Sequence, residues 1–142
     1  HVTFALERTF KGAERPALTL EFIGGTLGDE SLVVTGMPKF SLGSTEYVFV
    51  QRNGVQFCPL VAMGHGRYRV ARDSTTARDF IARDNATPLT DLAEVEFPLA
   101  ALPAPLQAAN AESALTRALS PASFEAGIIA EVQRPTTRAR PN

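Results

Sequence analysis

The chain has 142 residues, the length of one domain with little room for a second. Hydrophobic residues make up 44%, enough for a packed core and too many for global disorder. Its 14 basic and 15 acidic residues leave a net charge of −1, without the basic excess of a dedicated nucleic-acid binder, and the one cysteine, Cys58, excludes a disulfide framework and a Cys-rich zinc site.

Val2, Phe4, Leu6 and Phe10 alternate with polar positions, with a break at Arg8, and predict a half-buried strand. Lys11 to Pro16 has turn chemistry. Leu18, Leu20 and Phe22 resume the alternation, so residues 17–23 predict a second strand and an antiparallel hairpin. Gly24-Gly25-Thr26-Leu27-Gly28 then interrupts. It follows a strand as a phosphate loop would, but lacks the Gly-Lys-Ser/Thr ending and a following helix, so it is read as a sharp turn needing positive φ.

Ser31 to Thr35 is a short β-branched run, and Gly36-Met37-Pro38 turns. Tyr47 to Val50 predicts a strand that ends at the hairpin signal Arg52-Asn53-Gly54. Val55 to Met63 is its expected partner, weakened to an edge or a bulge by Pro59. After the turn Gly64-His65-Gly66, Arg67 to Ala71 predicts one more strand. Five or six strands at about ten-residue spacing predict a mainly β fold, a small antiparallel barrel or sandwich over residues 1–72.

Beyond residue 72 the composition changes, and residues 73–132 are expected to form a Pro/Ala-rich, partly helical extension. Ser74 to Asp84 is read as a loop or one helical turn. Prolines at 88, 98, 103 and 105 predict a segment lying over the β-domain. Leu106 to Leu119 is expected to be helical. Ser120-Pro121 stops that helix and caps the next, with Phe124 to Val132 as the helix or as a closing strand. Residues 133–142 are polar and predict a mobile tail. No run of about 18 apolar residues predicts a membrane span.

No chemical constellation stands out. Cys58, Met63 and His65 are too few for a copper or zinc site. Cys58 with His65 supplies two residue types of a thiol nucleophile, but no nucleophile elbow exists, and Cys58 between Phe57 and Pro59 reads as core. Asp29-Glu30, Asp73 with Asp79, and Glu94 with Glu96 provide carboxylate pairs of the glycosidase type. Asp73, Asp79, Asp84 and Asn85 offer hard oxygens for calcium without the EF-hand spacing. No catalytic, cofactor-binding or metal residues are assigned. Arg67 and Arg69 share one strand face opposite Tyr68 and Val70, either as a solvated face or as a partner patch. With Phe97, Leu99 and Leu102 of the extension they make the candidate partner contacts.

Several segments together carry a resemblance: Leu6 to Gly12, the Gly24 to Gly28 loop, Val34 to Gly43, Glu46 to Val50 and Gly64 to Val70. The run from Val2 to Val70 resembles a β-rich domain of exported bacterial proteins of unknown function, some of which carry it upstream of a matrixin-type metalloprotease domain. The resemblance implies a β fold and a periplasmic or extracellular location. It transfers no catalytic residue, and His-Glu-x-x-His is absent here. Such domains begin with one strand more, which raises the expectation of an upstream segment. The function expected is a non-enzymatic binding or scaffold module that contacts a protein through β-edges and the extension, with no nucleic acid and no cofactor. The alternatives are an accessory subunit of a membrane-associated or extracellular assembly anchored by an upstream segment, and a carboxylate-based hydrolase.

Overall fold

A computed structural model describes residues 1–96 and 113–135. The described part is mainly small antiparallel sheets with a helical C-terminal piece. Strands β1 (Val2–Ala5) and β2 (Ala17–Leu20) pair in the register Val2↔Leu20 to Ala5↔Ala17, and the Leu6 N–H extends the ladder to the Pro16 carbonyl at 2.9 Å. Strands β3 (Gly25–Leu27) and β4 (Glu30–Leu32) form a second hairpin around Gly28-Asp29. Strands β5 (Glu46–Val48), β6 (Arg67–Arg72) and β7 (Asp79–Arg83) form a third sheet in the order β5-β6-β7. Among the described residues the three sheets stay separate, and no closed barrel forms. Short 3-10 turns η1 (Met63–Gly66) and η2 (Leu92–Glu96) flank the third sheet. Helix α1 covers residues 113–117 of the described chain, and α2 spans Pro121–Gln133.

The Gly24–Gly28 loop does need positive φ, at Gly24, Gly25 and Gly28. It is nevertheless not a bare turn, because its middle is β3. Two other expectations change. The partner strand expected over residues 55–63 reduces to a single bridge, Val50↔Leu60, with the Gln51 N–H donating to the Pro59 carbonyl at 2.8 Å. Proline cannot donate to a ladder, and the chain around Arg52 and Gly54 is coiled through positive φ. The loop expected at Ser74 to Asp84 contains β7, which pairs with β6 from Arg72↔Asp79 to Tyr68↔Arg83. The sheet therefore continues across the boundary expected at residue 72.

Strand β7 is the inner wall of the molecule. Its Phe80, Ile81 and Ala82 are all buried, and its outer edge is closed by the chain that follows. The Ile81 N–H donates to the Leu119 carbonyl, the Leu89 N–H to the Ile81 carbonyl and the Leu119 N–H to the Leu89 carbonyl, at 2.8–2.9 Å. An edge strand otherwise presents a row of unpaired backbone groups, so these bonds satisfy both edge and extension.

Helix α2 begins as its sequence predicts. The Ser120 hydroxyl accepts from the Ser123 N–H at 3.1 Å, and Pro121 occupies the first turn, where its missing N–H costs nothing. The helix buries Phe124, whose ring meets Tyr47 edge-on and Tyr68 tilted, both at 5.1 Å between centroids. Glu125 on the same turn accepts from the Tyr47 hydroxyl at 2.7 Å and from Arg8 at 2.9 Å. A second cluster, Leu20, Cys58 and Leu60 with Phe4, Phe40 and Val48 around it, lies between the first and third sheets.

Candidate functional site

Two features stand apart from the apolar packing: a buried charge network at one end of the third sheet, and the bare β3–β4 hairpin.

The network centres on Arg67, at the start of β6. Its side chain is 4% exposed and its partner Glu46 only 1%. Nε and Nη2 donate to the two Glu46 oxygens at 2.9 Å, a bidentate pair, and Nη1 donates to Asp84 Oδ1 at 2.9 Å. The guanidinium also lies 4.4 Å over the Phe40 ring. Burial opposes the Arg67 charge, but the hydrogen bonds and charges of Glu46 and Asp84 outweigh it and hold the pKa above its ordinary value. Strand pairing places these groups: Glu46 leads β5, and Asp84 follows β7 opposite Arg67. The backbone bends tightly here. Ala62 and Met63 both take positive φ, and a side chain on Gly66 would come within 2.6 Å of the Val61 carbonyl.

Two further arginines, Arg83 and Arg69, lie at this end. Arg83 donates through Nη2 to the Glu94 carbonyl at 2.6 Å and to Glu94 Oε2 at 3.3 Å, and the Thr90 hydroxyl holds Glu94 Oε1. Arg69 reaches the Asp84 carbonyl at 3.3 Å through Nη2, while its buried Nε has no partner among the described residues. Gly64, His65, Arg67, Tyr68, Arg83, Asp84 and Glu94 line a cleft of about 10 Å³. That is room for about one water molecule and not for an organic substrate.

The β3–β4 hairpin is different in every respect. All six of its strand residues are exposed. Leu27 is 86% exposed, Leu32 56%, and Val33 just beyond β4 is 79% exposed. Ile23 and Phe57, joined by a backbone hydrogen bond of 2.9 Å, add two more exposed apolar side chains beside it. Among the described residues β3 and β4 make ladder bonds only with each other. On one face Thr26 and Ser31 share a hydroxyl contact of 3.4 Å.

The residues marked by the sequence fall out unevenly. Arg67 and Arg69 do share a face, but the solvated face expected for them is corrected: Arg67 is sealed inside by Glu46 and Asp84, and a partner could not touch its guanidinium without unpacking the sheet end. Phe97, Leu99 and Leu102 lie outside the described residues. Cys58 is buried, as core. The four groups considered for calcium have other partners. Asp73 accepts from Thr75 and Thr76, Asp79 from Arg72, Asp84 from Arg67, and Asn85 from Thr87. Among the described residues no three His, Cys, Asp or Glu groups gather to hold a metal, and no helix is long and apolar enough to cross a membrane. Sequence reasoning missed Glu46 and Asp84 as the partners of Arg67, from which they stand 21 and 17 positions away. It also missed the hairpin, although Gly28-Asp29 between two β-compatible runs is a two-residue turn signal. No protein-family model, no curated protein and no solved structure matches the chain.

Proposed function

We propose that this chain is a non-enzymatic binding or scaffold module that contacts another protein through the β3–β4 hairpin. The carrying observation is the bare apolar hairpin, with Leu27, Leu32 and Val33 exposed and both strands without further ladder partners among the described residues. An unpaired strand accepts an incoming strand through its backbone groups, and exposed apolar side chains beside it give that strand something to pack on. The neighbouring edges support the choice. The outer edge of β7 is taken by Leu89 and Leu119, and Asn53 occupies the edge of β2, accepting from Glu21 N–H at 3.0 Å and donating to the Thr19 carbonyl at 2.8 Å.

In this reading the first and third sheets form a sandwich-like core across Leu20, Cys58 and Leu60, and the extension stiffens the far side. The hairpin is the part left for a partner. The resemblance of the first seventy residues to a domain of exported proteins supports a periplasmic or extracellular setting.

The test is site-specific photo-crosslinking in the source cell. A photoreactive side chain at position 33 should yield one discrete protein adduct, and the same group at exposed Lys11 should not. Leu27→Asp in the same chain should abolish the adduct. Equal labelling from positions 33 and 11, or an adduct indifferent to Leu27→Asp, would refute the hairpin as the contact.

A further inference from the structure

Asn53 and Gly54 are exposed, in the turn that follows Val50. Arg52 before them takes φ 48° and Gly54 φ 78°, and the Arg52 carbonyl accepts from the Val55 and Gln56 N–H groups at 3.1 and 3.2 Å. The Asn53 amide grips the edge of β2 with both of its ends. Oδ1 accepts from the Glu21 N–H at 3.0 Å, and Nδ2 donates to the Thr19 carbonyl at 2.8 Å. A side-chain amide suits these two groups because it carries an acceptor and a donor side by side. The Glu21 side chain is close as well, with Oε2 3.8 Å from where a side-chain carbon on Gly54 would stand.

Asparagine is among the thermally labile residues, and a glycine after it has no side chain to shield its nitrogen from the asparagine Cγ. We propose that Asn53 is a deamidation site, that the reaction passes through the unlatched turn, and that its products do not latch again. The Gly54 N–H gives its proton to a solvent base, and the nitrogen attacks Asn53 Cγ. The N–Cγ bond forms, the Cγ–Nδ2 bond breaks, and Nδ2 takes up a proton and leaves as ammonia. Solvent hydrolysis then opens the cyclic imide at either carbonyl, giving aspartate or isoaspartate. The latch holds the amide on β2, so attack waits for its two bonds to open. In the aspartate product an oxygen replaces Nδ2 and meets the Thr19 carbonyl with no proton between them. In the isoaspartate product the main chain runs through the former side chain, and the remaining carboxylate hangs on a shorter arm. Both place a negative charge beside Glu21. Unlatching leaves the Thr19 carbonyl and the Glu21 N–H as an open strand edge, which native sheets keep covered. This inference is independent of the hairpin and its partner.

The test is to incubate the full chain, folded and in urea, in mildly alkaline buffer and to map it by peptide mass spectrometry. The amide-to-acid mass gain is expected at Asn53, about tenfold slower in the folded chain because two surface hydrogen bonds must open first. Asn85, followed by Ala86, should lag Asn53 in urea. Equal rates in the folded and unfolded chain overturn the latch. The site itself is overturned if Asn85 keeps pace with Asn53 in urea. It is overturned too if the folded chain shows no gain at Asn53 by about a hundred times the half-time in urea. Amide hydrogen exchange on the separated isoaspartate fraction reads the consequence. Glu21 should exchange as fast as in Asn53→Ala, which lacks both bonds, while Ile81 stays as protected as in the parent chain. Parent-like protection of Glu21 in that fraction overturns the unlatching.

Discussion

The third sheet and the β3–β4 hairpin are built from the same element, a short antiparallel pair, and they end in opposite states. Around β6 and β7 the chain gathers Tyr47, Phe49, Tyr68 and Phe124, closes the outer edge with Leu89 and Leu119, and seals an arginine between two carboxylates. Around β3 and β4 it leaves leucine and valine in water and both outer edges without ladder bonds among the described residues. A two-stranded hairpin alone is marginal in water, so this one is held up by the body it projects from. Under the proposed function stability and recognition are separated in space, and substitutions should separate them too.

The largest effect is expected at Phe124. Phe124→Ala removes the ring that Tyr47 and Tyr68 pack on and should cost ~3–5 kcal/mol in urea unfolding. A loss below ~1 kcal/mol would mean that α2 is dispensable to the sheet and would dissolve the contrast. Arg67→Met should cost a similar ~3–5 kcal/mol, because it strands the Glu46 carboxylate without its bidentate partner. Pairing it with Glu46→Gln removes the stranded charge, so the double variant should be more stable than Arg67→Met alone. Additive losses would show that the two side chains do not act as a pair.

The cap of α2 sharpens the picture at a smaller scale. Ser120→Ala deletes the acceptor of the Ser123 N–H and should cost ~1 kcal/mol, with Ser120→Asp recovering most of it. Tyr47 adds a pH dependence. Burial, and then the hydrogen bond to Glu125, raise its pKa above the usual phenol value. The folded chain therefore holds this proton more tightly than the unfolded chain. Its stabilising contribution is complete below the unfolded pKa of about 10 and is lost as pH rises from there toward the folded value. Unfolding midpoints measured between about pH 9 and 11 should fall less steeply in Tyr47→Phe than in the parent chain. Identical slopes would leave the Tyr47–Glu125 contact without thermodynamic weight.

Legibility in the sequence followed the range of the interaction. The β1–β2 pair and β6 were readable because their apolar residues alternate or cluster locally, and Ser120-Pro121 marked the start of α2 because a cap needs only its own turn. Strand β7 was hidden because Phe80, Ile81 and Ala82 form a continuous buried run between two charged residues, so no period of two shows. Arg67 misled for a related reason. A charge on a strand reads as solvated unless its partners are known, and Glu46 and Asp84 reach it only through pairing across β5, β6 and β7. The hairpin was obscured by Gly24 and Gly25, whose positive φ suggested a turn and drew attention from the two-residue turn that follows.

The smallest stability effect should come from the hairpin itself. Leu27→Ser and Val33→Ser remove side chains that are 86% and 79% exposed, so each should change stability by less than about 0.5 kcal/mol. The same substitutions should weaken crosslinking through position 27 or 33 far more than any change at Phe124 that leaves the chain folded. The two readouts must therefore diverge: unfolding midpoints follow the sheet and α2, and adduct yield follows the hairpin. If Leu27→Ser instead lowers stability by ~2 kcal/mol or more, Leu27 is buried in solution by something within the chain. The hairpin would then belong to the core, and its exposed face would not be a contact surface.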